Sequence, residues 1–297
     1  MASSRSGHNR GKLRENEPMA RHTSWRVGGP ADRYYAPSSI EDLGAFIASL
    51  PEAEPIFWVG LGSNLLVRDA GVRGTVICTH GVLSGLERRG DGAVRAEAGV
   101  PCAKLARQCI RWGLGSAEFF AGIPGTVGGA LAMNAGAFGG ETWPHVVCVE
   151  TMDRSGALHR RGKEDFEIGY RSVRGPGTEW FLAATFRFEE DRAASPADIK
   201  ALLARRKASQ PIGLPSCGSV FRNPPGDYAA RLIETAGLKG RRIGGAVVSE
   251  KHANFIINAG GASALDIERL IELVRDTVEQ VHGVRLQTEV RIIGEAA

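Results

Sequence analysis

The stretch PSCGSVFRNP, residues 215–224, contains a serine hydroxyl with no histidine beside it to activate it as a nucleophile. Ser219 could still act as an acid, because a serine needs no neighbouring base in order to donate a proton. Cys217 is the alternative donor: if this segment is extended, side chains 217 and 219 point to the same side. The structural alternative is that the Ser219 hydroxyl only hydrogen-bonds the backbone of a turn.

A second stretch, AGIPGTVGGALAMNAGAFGGE, is far richer in glycine than a turn requires. Glycine permits positive φ and lets main-chain N–H groups approach a phosphate, so this segment could cradle a pyrophosphate without a lysine. It contains no G-x-x-x-x-G-K-[ST] pattern, which argues against a P-loop nucleotidase. Tight packing of a glycine-rich strand and turn is the alternative, and residue types alone do not decide between the two.

A shorter glycine loop, GLGSN at residues 60–64, lies between two apolar runs that we predict to be strands, 56–59 and 65–67. The loop could begin a dinucleotide fingerprint, but the third glycine is missing. Arg68 and Asp69 follow the second strand where that motif requires a long helix. The pattern therefore does not favour a Rossmann fold.

Hydrophobic spacing predicts three helices that must position these segments. One covers residues 101–112, a second follows Ser195-Pro196, and a third begins at a capping box, Ser263 to Asp266, and ends at Gly283. The final stretch, VRLQTEVRII, alternates like a strand and places Glu289 on its polar face. Its apolar face consists of Val284, Leu286, Val290 and Ile292.

Composition excludes several classes of protein. The chain has 297 residues, 43% hydrophobic and 24% charged, which is enough for two domains. The change from short strands to a helical pattern at Ser195-Pro196 predicts a domain boundary near residue 195, and the polar start predicts a disordered tail over residues 1–20. The net charge of +4 contains no dense basic run, so nucleic acid is not implied. Five cysteines without C-x-x-C spacing suggest neither a disulfide framework nor a metal site. No apolar run is long enough to insert in a membrane. We expect a cytoplasmic monomer.

Seven segments, in the same order, resemble the UDP-N-acetylenolpyruvoylglucosamine reductases, flavoproteins of bacterial cell-wall synthesis. The likeness runs from about residue 20 to the end, and VSEKHANFIIN together with the compact length is similar to a shorter subclass that lacks a tyrosine-bearing loop over the substrate. The segments are HTSWRVGGPADRYYAP, VGLGSNLLVRDAGVRGTVI, AGIPGTVGGALAMNAGAFGGE, GYRSV, PSCGSVFRNP, AGLKGRRIGGAVVSEKHANFIIN and LQTEVRIIGE.

The resemblance implies an α+β fold. Residues 21–195 would form an FAD-binding domain of the vanillyl-alcohol oxidase or p-cresol methylhydroxylase type, with two α+β subdomains, and residues 196–297 an α+β substrate domain. It also implies UDP-N-acetylmuramate dehydrogenase activity in peptidoglycan synthesis. NADPH reduces the flavin, a hydride passes to the enolpyruvyl β carbon of UDP-N-acetylglucosamine enolpyruvate, and a proton must then reach the α carbon.

Three catalytic residues are implied by the matching motifs. Ser219 corresponds to the proton donor, Arg171 in GYRS to the arginine whose planar fork lies near the enolpyruvyl carboxylate, and Glu289 to the glutamate that hydrogen-bonds the same intermediate. Without the resemblance, Arg171 would be read as a solvated charge and Glu289 as part of an exposed strand face.

The binding residues are also assigned by the matching motifs. Lys207, Asn223 and Arg205 are the candidates for gripping the diphosphate of the nucleotide sugar, and Arg222 stands where the family commonly has a lysine. The FAD candidates are Gly60, Gly62, Ser63, Asn64 and Leu65 in the first glycine loop, and Gly122, Ile123, Pro124, Gly125, Thr126, Gly128 and Gly129 in the second.

Two other functions remain open at the level of sequence. An FAD-dependent oxidase of the same cofactor fold would share the glycine loops but would have no need for the Arg171, Ser219 and Glu289 set, and it would produce hydrogen peroxide. A non-catalytic flavin- or nucleotide-sugar-binding protein would require that this set is accidental.

Overall fold

The computed structural model describes residues 11–190 and 194–296. The helices within these ranges are α1 Ile40–Ser49, α2 Cys102–Arg111, α3 Val127–Ala132, α4 Pro196–Ser209, α5 Ala229–Thr235 and α6 Ala264–His282. The strands are β1 Lys12–Pro18, β2 Pro30–Ala36, β3 Ile56–Val59, β4 Leu65–Val67, β5 Val72–Cys78, β6 Leu86–Arg89, β7 Ala93–Glu97, β8 Gly136–Ala137, β9 Gly140–Glu141, β10 Val146–Asp153, β11 Leu158–Arg161, β12 Glu167–Gly169, β13 Ser172–Arg174, β14 Glu179–Arg187, β15 Arg242–Ile243, β16 Ala246–Val248, β17 Ile256–Asn258 and β18 Arg291–Ile293.

The first sheet has the order β1-β2-β5-β3, in which β1 and β2 are antiparallel and the other pairs are parallel. Strand β1 pairs with β2 from Lys12 opposite Ala36 to Pro18 opposite Pro30. The prediction of a disordered tail over residues 1–20 is therefore wrong for the paired part, because a register of backbone hydrogen bonds fixes this polar segment without an apolar pattern. Residues 1–10 lie outside the described part of the chain.

A second, antiparallel sheet has the order β11-β10-β14-β7-β6. Its apolar face packs against α2, α3 and α4 in a core that contains Phe120, Trp143 and Phe186. Helix α4 joins this core through Ile199 and Leu203, although the predicted domain boundary near residue 195 would assign it to the C-terminal part. The boundary itself stays a prediction.

The C-terminal part packs a three-stranded sheet, β15-β16-β17, against α6. As predicted, α6 begins at a capping box, in which Ser263 Oγ accepts from the N–H of Asp266, and it ends at Gly283, whose φ is 67°. Trp25, from the N-terminal part, is fully buried in this core and donates from Nε1 to the carbonyl of Ile256 at 2.7 Å. The two parts therefore share a buried contact.

The chain returns at its end to the first glycine loop. Strand β18 pairs in parallel with β4, which follows residues 60–64 directly. The predicted final strand is shorter than expected, since only Arg291–Ile293 are paired as a strand, although Leu286 and Val290 are buried as the alternation indicated. This pairing brings residue 289 beside residue 64.

The other strands and the helix predicted from the sequence are found in the structure. The strands predicted at 56–59 and 65–67 are β3 and β4, and the helix predicted over residues 101–112 is α2, with Pro101 as its N-cap. The five cysteines are free and buried. No helix in the described part of the chain is long and apolar enough to cross a membrane.

Candidate active site

Three residues far apart in sequence meet near the β4–β18 pair. Arg171 lies in the two-residue turn between β12 and β13, and its Nε is 3.2 Å from Oε1 of Glu289. The N–H of Glu289 donates to the carbonyl of Val220 at 2.7 Å. Because Val220 follows Ser219 directly, the three candidate catalytic residues lie in one neighbourhood.

The guanidinium of Arg171 is held mainly by main-chain carbonyls. Its Nη1 donates to the carbonyl of Asn134 at 3.2 Å and its Nη2 to that of Gly136 at 3.0 Å. The residue has a φ of 52°, which is strained for a side chain other than glycine, so these contacts must fix the turn. The fork was expected to face the substrate. In the structure one N–H of each terminal nitrogen donates to a main-chain carbonyl, Nε lies beside Glu289, and the remaining N–H groups have no acceptor among the described residues.

Glu289 is a mostly buried carboxylate, with its side chain 13% exposed. Burial raises its pKa above the ordinary value, and the charges of Arg171 and Arg222 offset only part of that effect. The Nε–H of Arg171 is within ion-pair distance but makes no hydrogen bond. The site therefore favours the protonated form of Glu289 more than water does.

Ser219 and Cys217 have different surroundings. The φ of Gly218 is 72°, so the segment is not extended and the two side chains need not share a side. Cys217 is buried, its thiol donates to the carbonyl of Leu65 at 3.4 Å, and burial raises its pKa to about 12. Ser219 is half-buried, and its hydroxyl makes no hydrogen bond among the described residues. The serine hydroxyl is thus the available donor.

The first glycine loop presents main-chain donors. Within the described ranges, the N–H groups of residues 61–64 donate to no acceptor. A Cβ on Gly62, whose φ is 61°, would lie 1.9 Å from the carbonyl oxygen of His22, so only glycine fits there. Several unpaired N–H groups in one turn form a concave site for an anion.

The second glycine loop contributes differently. Four of its N–H groups already donate to main-chain carbonyls, those of Ile123, Gly125, Val127 and Gly128. A Cβ on Gly122 would lie 2.3 Å from the Phe138 ring, and one on Gly128 would lie 2.9 Å from Cβ of Ala98, so packing explains these two glycines. The pyrophosphate cradle that the sequence suggested here is therefore better supplied by residues 61–64.

Thr126 links the two glycine loops. Its Oγ1 is buried and has no hydrogen-bond partner, and a Cβ on Gly60 would lie only 2.4 Å from it. A buried hydroxyl without a partner is uncommon in proteins, and it is explained if a ligand supplies the partner. Free donors in one loop and an unpaired hydroxyl facing it from the other fit the phosphate and polar edges of FAD.

Asn64 connects the first loop to the catalytic region. Its Nδ2 donates to the carbonyl of Glu289 at 3.0 Å, and its own carbonyl accepts from the N–H of Arg291 at 3.1 Å. The side chain of this FAD candidate is therefore engaged by the protein. The main-chain N–H and Oδ1 of Asn64 have no partner among the described residues, so they are the groups available to the cofactor.

The three substrate candidates have different surroundings. Asn223 Oδ1 accepts from the N–H of Ala229 at 3.1 Å and so caps α5. Lys207 is exposed, and its carbonyl accepts from Nζ of Lys251. Arg205 lines a cavity of about 650 Å³ whose other walls include Glu118, Glu189 and Asp198. Carboxylates on those walls do not favour a diphosphate beside Arg205.

Sequence reasoning missed Asn134. It is 2% exposed, and its Nδ2 donates to Oε2 of Glu141 at 2.9 Å while its carbonyl binds Arg171. Its φ of 45° is the left-handed value that asparagine tolerates better than most residues. The only signal in the sequence was an asparagine within a glycine-rich segment.

Comparisons with known proteins agree with this arrangement. Residues 210–293 match the family model described as UDP-N-acetylenolpyruvoylglucosamine reductase, C-terminal domain, and residues 31–162 match an FAD binding domain. A UDP-N-acetylenolpyruvoylglucosamine reductase of Alkalilimnicola ehrlichii is 66% identical over 96% of each chain. This chain belongs to that family. The reductase of Methylococcus capsulatus is 60% identical over 97% of this chain and 95% of its own.

The family is also found among solved structures. The crystal structure of UDP-N-acetylenolpyruvylglucosamine reductase from Thermus caldophilus superposes with a TM-score of 0.79 at 32% identity, over 95% of this chain and 98% of that one. The expected fold, an FAD-binding part of the vanillyl-alcohol oxidase type followed by the family's C-terminal domain, is thereby confirmed.

Proposed function

We propose that this chain reduces UDP-N-acetylglucosamine enolpyruvate to UDP-N-acetylmuramate in peptidoglycan synthesis, as a cytoplasmic monomer that binds FAD and uses NADPH. The observation that carries the proposal is the meeting of Arg171, Ser219 and Glu289 beside the glycine loops, which belong to different parts of the chain. Family membership and the match to an FAD-binding domain support it.

FAD is the group that the glycine loops fit. Residues 61–64 would hold its pyrophosphate through their unpaired N–H groups, and Thr126 would donate or accept at its polar edge. When bound, FAD supplies the hydride that reaches the β carbon of the substrate. The hydrogen bond from Asn64 to the carbonyl of Glu289 links the cofactor loop to the segment that carries a catalytic candidate.

The reaction requires a proton at the α carbon and stabilisation of the charge that develops on the carboxylate. The Ser219 hydroxyl makes no hydrogen bond to any residue that the structure describes, so it is free to donate that proton. In the proposed complex the carboxylate of the substrate would lie beside Glu289, and two neighbouring carboxylates disfavour double ionisation. The raised pKa of Glu289 favours its protonated form, which would donate a hydrogen bond to the intermediate.

The test separates the two half-reactions in the holoprotein. Ser219→Ala should bind FAD and be reduced by NADPH at the parent rate, but its flavin should be reoxidised much more slowly by the enolpyruvyl sugar. Ser219→Cys keeps a transferable proton and should retain more activity. Ser49→Ala, at the exposed end of α1, is the control and should behave as the parent.

Stopped-flow flavin absorbance measures both steps. Reoxidation of Ser219→Ala at the parent rate would remove Ser219 from the mechanism. A parent protein that consumes NADPH and oxygen to give hydrogen peroxide, with no dependence on the sugar, would indicate an oxidase and overturn the proposed function.

A further inference from the structure

The segment that follows the candidate proton donor lies between two neighbours. On one side, the carbonyl of Val220 accepts from the N–H of Glu289 at 2.7 Å, and Phe221 forms an antiparallel bridge with Thr288. On the other side, the carbonyl of Asn254 accepts from the N–H of Val220 at 2.9 Å. Residues 220 and 221 therefore occupy the place of a central strand, with a strand-like segment on one side and Asn254 on the other.

The side chain of Asn254 acts as the missing strand partner. Its Oδ1 accepts from the N–H of Phe221 at 2.9 Å, and its Nδ2 donates to the carbonyl of Phe221 at 2.8 Å. An amide carries an acceptor and a donor at one end, so it can bond both main-chain groups of one residue, as a neighbouring strand can. Asn254 is 3% exposed and Phe221 is 1% exposed, so losing the amide would leave buried main-chain groups unpaired.

The same segment also holds the other end of the serine loop. The carbonyl of Pro215 accepts from the N–H of Asn258 at 3.0 Å, so residues 216–219 span two anchor points, 254 and 258, on one short stretch of chain. Ser219 lies next to the anchor at Asn254. Because the Ser219 hydroxyl makes no hydrogen bond among the described residues, its position depends on how this backbone is anchored.

We infer that Asn254 is a positioning residue for Ser219. Its amide fixes Phe221 and, through the two peptide bonds between residues 219 and 221, sets the distance from the Ser219 hydroxyl to the α carbon of the substrate. This rests on the proposed function and adds a residue that acts on the proton transfer without touching the substrate. A shift of about 1 Å in a reacting group can cost roughly 100-fold in rate. FAD is assigned to residues of the glycine loops, so its binding should be spared.

The experiment measures reoxidation of the reduced holoprotein by UDP-N-acetylglucosamine enolpyruvate in stopped flow. We expect Asn254→Ala to slow reoxidation roughly 10- to 100-fold. Reduction by NADPH, and the affinity of the oxidised holoprotein for the sugar, should stay within about twofold of the parent. Asn254→Ser keeps a hydroxyl that can bond one of the two Phe221 groups, so it should slow reoxidation less.

Asn258→Ala is the matched control. The amide of Asn258 also binds main chain, with Nδ2 donating to the carbonyl of Trp25 at 3.0 Å and Oδ1 accepting from the N–H of Gly260 at 3.0 Å, but these bonds lie outside the serine loop. The main-chain bond to Pro215 is kept in this variant. Asn258→Ala should therefore lower the melting temperature and still be reoxidised at the parent rate.

A double variant shows whether Asn254 acts through Ser219. Ser219→Ala combined with Asn254→Ala should be reoxidised no more slowly than Ser219→Ala alone, because the group being positioned is already gone. Effects that multiply in the double variant would mean that Asn254 acts elsewhere. Reoxidation of Asn254→Ala at the parent rate, an equal loss in Asn258→Ala, or an equal loss of NADPH reduction would leave Asn254 a structural role only. Each of these results overturns the inference.

The parent protein separates this inference from the proposed function. A reduced parent that the enolpyruvyl sugar does not reoxidise refutes the proposed function itself. A parent that is reoxidised, together with an unaffected Asn254→Ala, refutes only the role of Asn254. Should Asn254→Ala fail to fold, Asn254→Ser decides by the same comparison, alone and combined with Ser219→Ala.

Discussion

Thr126→Val should stabilise the protein without FAD and weaken its affinity for FAD. The Oγ1 of Thr126 is buried without a partner, and an unpaired buried hydroxyl costs about 1–3 kcal/mol. Valine has nearly the same shape, and the side chain of Thr126 makes no capping hydrogen bond to α3, so no cap is lost. The deflavinated variant should therefore unfold about 2–6 °C higher, at about 2 °C per kcal/mol for a chain of this size.

The effect on FAD has the opposite sign. If the hydroxyl hydrogen-bonds the cofactor, its removal loses about 0.5–1.5 kcal/mol of binding free energy, which raises the Kd roughly 2- to 13-fold. Thermal unfolding of deflavinated protein and titration of flavin fluorescence measure the two quantities separately.

Two variants control this experiment. Thr126→Ser keeps the hydroxyl and should bind FAD as the parent does. Thr142 is a buried threonine whose Oγ1 donates to the carbonyl of Ala135 at 2.7 Å, so Thr142→Val should destabilise the protein and leave the Kd for FAD unchanged. If Thr126→Val behaves like Thr142→Val in both assays, the hydroxyl is not reserved for the cofactor and our reasoning is refuted.

Three further changes test the catalytic region. Burial raises the pKa of Glu289 in the folded state, so its contribution to stability is present below the unfolded value and is lost as pH rises through the folded value. Glu289→Gln should therefore gain thermal stability relative to the parent as the pH is raised above the ordinary glutamate pKa. A gap in melting temperature that does not change with pH would contradict the raised pKa. Arg171→Lys removes two hydrogen bonds to main-chain carbonyls and should lower turnover of the enolpyruvyl sugar roughly 10- to 100-fold, while NADPH still reduces the flavin. Normal turnover would show that the guanidinium group is not needed. Cys217→Ala should lose about 1–2 kcal/mol of folding stability, because the thiol is buried. The rate of flavin reoxidation should change little, because the thiol stays protonated. A stalled reoxidation would make Cys217 the proton donor instead of Ser219.

Local patterns in the sequence were enough for the elements that position the site. Strands β3 and β4, helix α2 and the capped start of α6 follow from apolar spacing and end signals, which depend only on neighbouring residues. Motif order indicated the family, and the comparisons confirm it. The ordered strand at Lys12–Pro18 could not be foreseen, because its stability comes from pairing with β2 and not from its own pattern.

What the tertiary structure decided is which polar groups are free. The sequence could nominate both glycine loops for a phosphate, but only the folded backbone shows that the N–H groups of residues 61–64 are unpaired whereas several in the second loop already donate. The same holds for Arg171 and Arg222, which look alike as residue types. Arg171 donates to two main-chain carbonyls, whereas the side chain of Arg222 has no partner among the described residues. The partners of Arg171 lie more than thirty residues away in the chain, so no local sequence pattern could have indicated them.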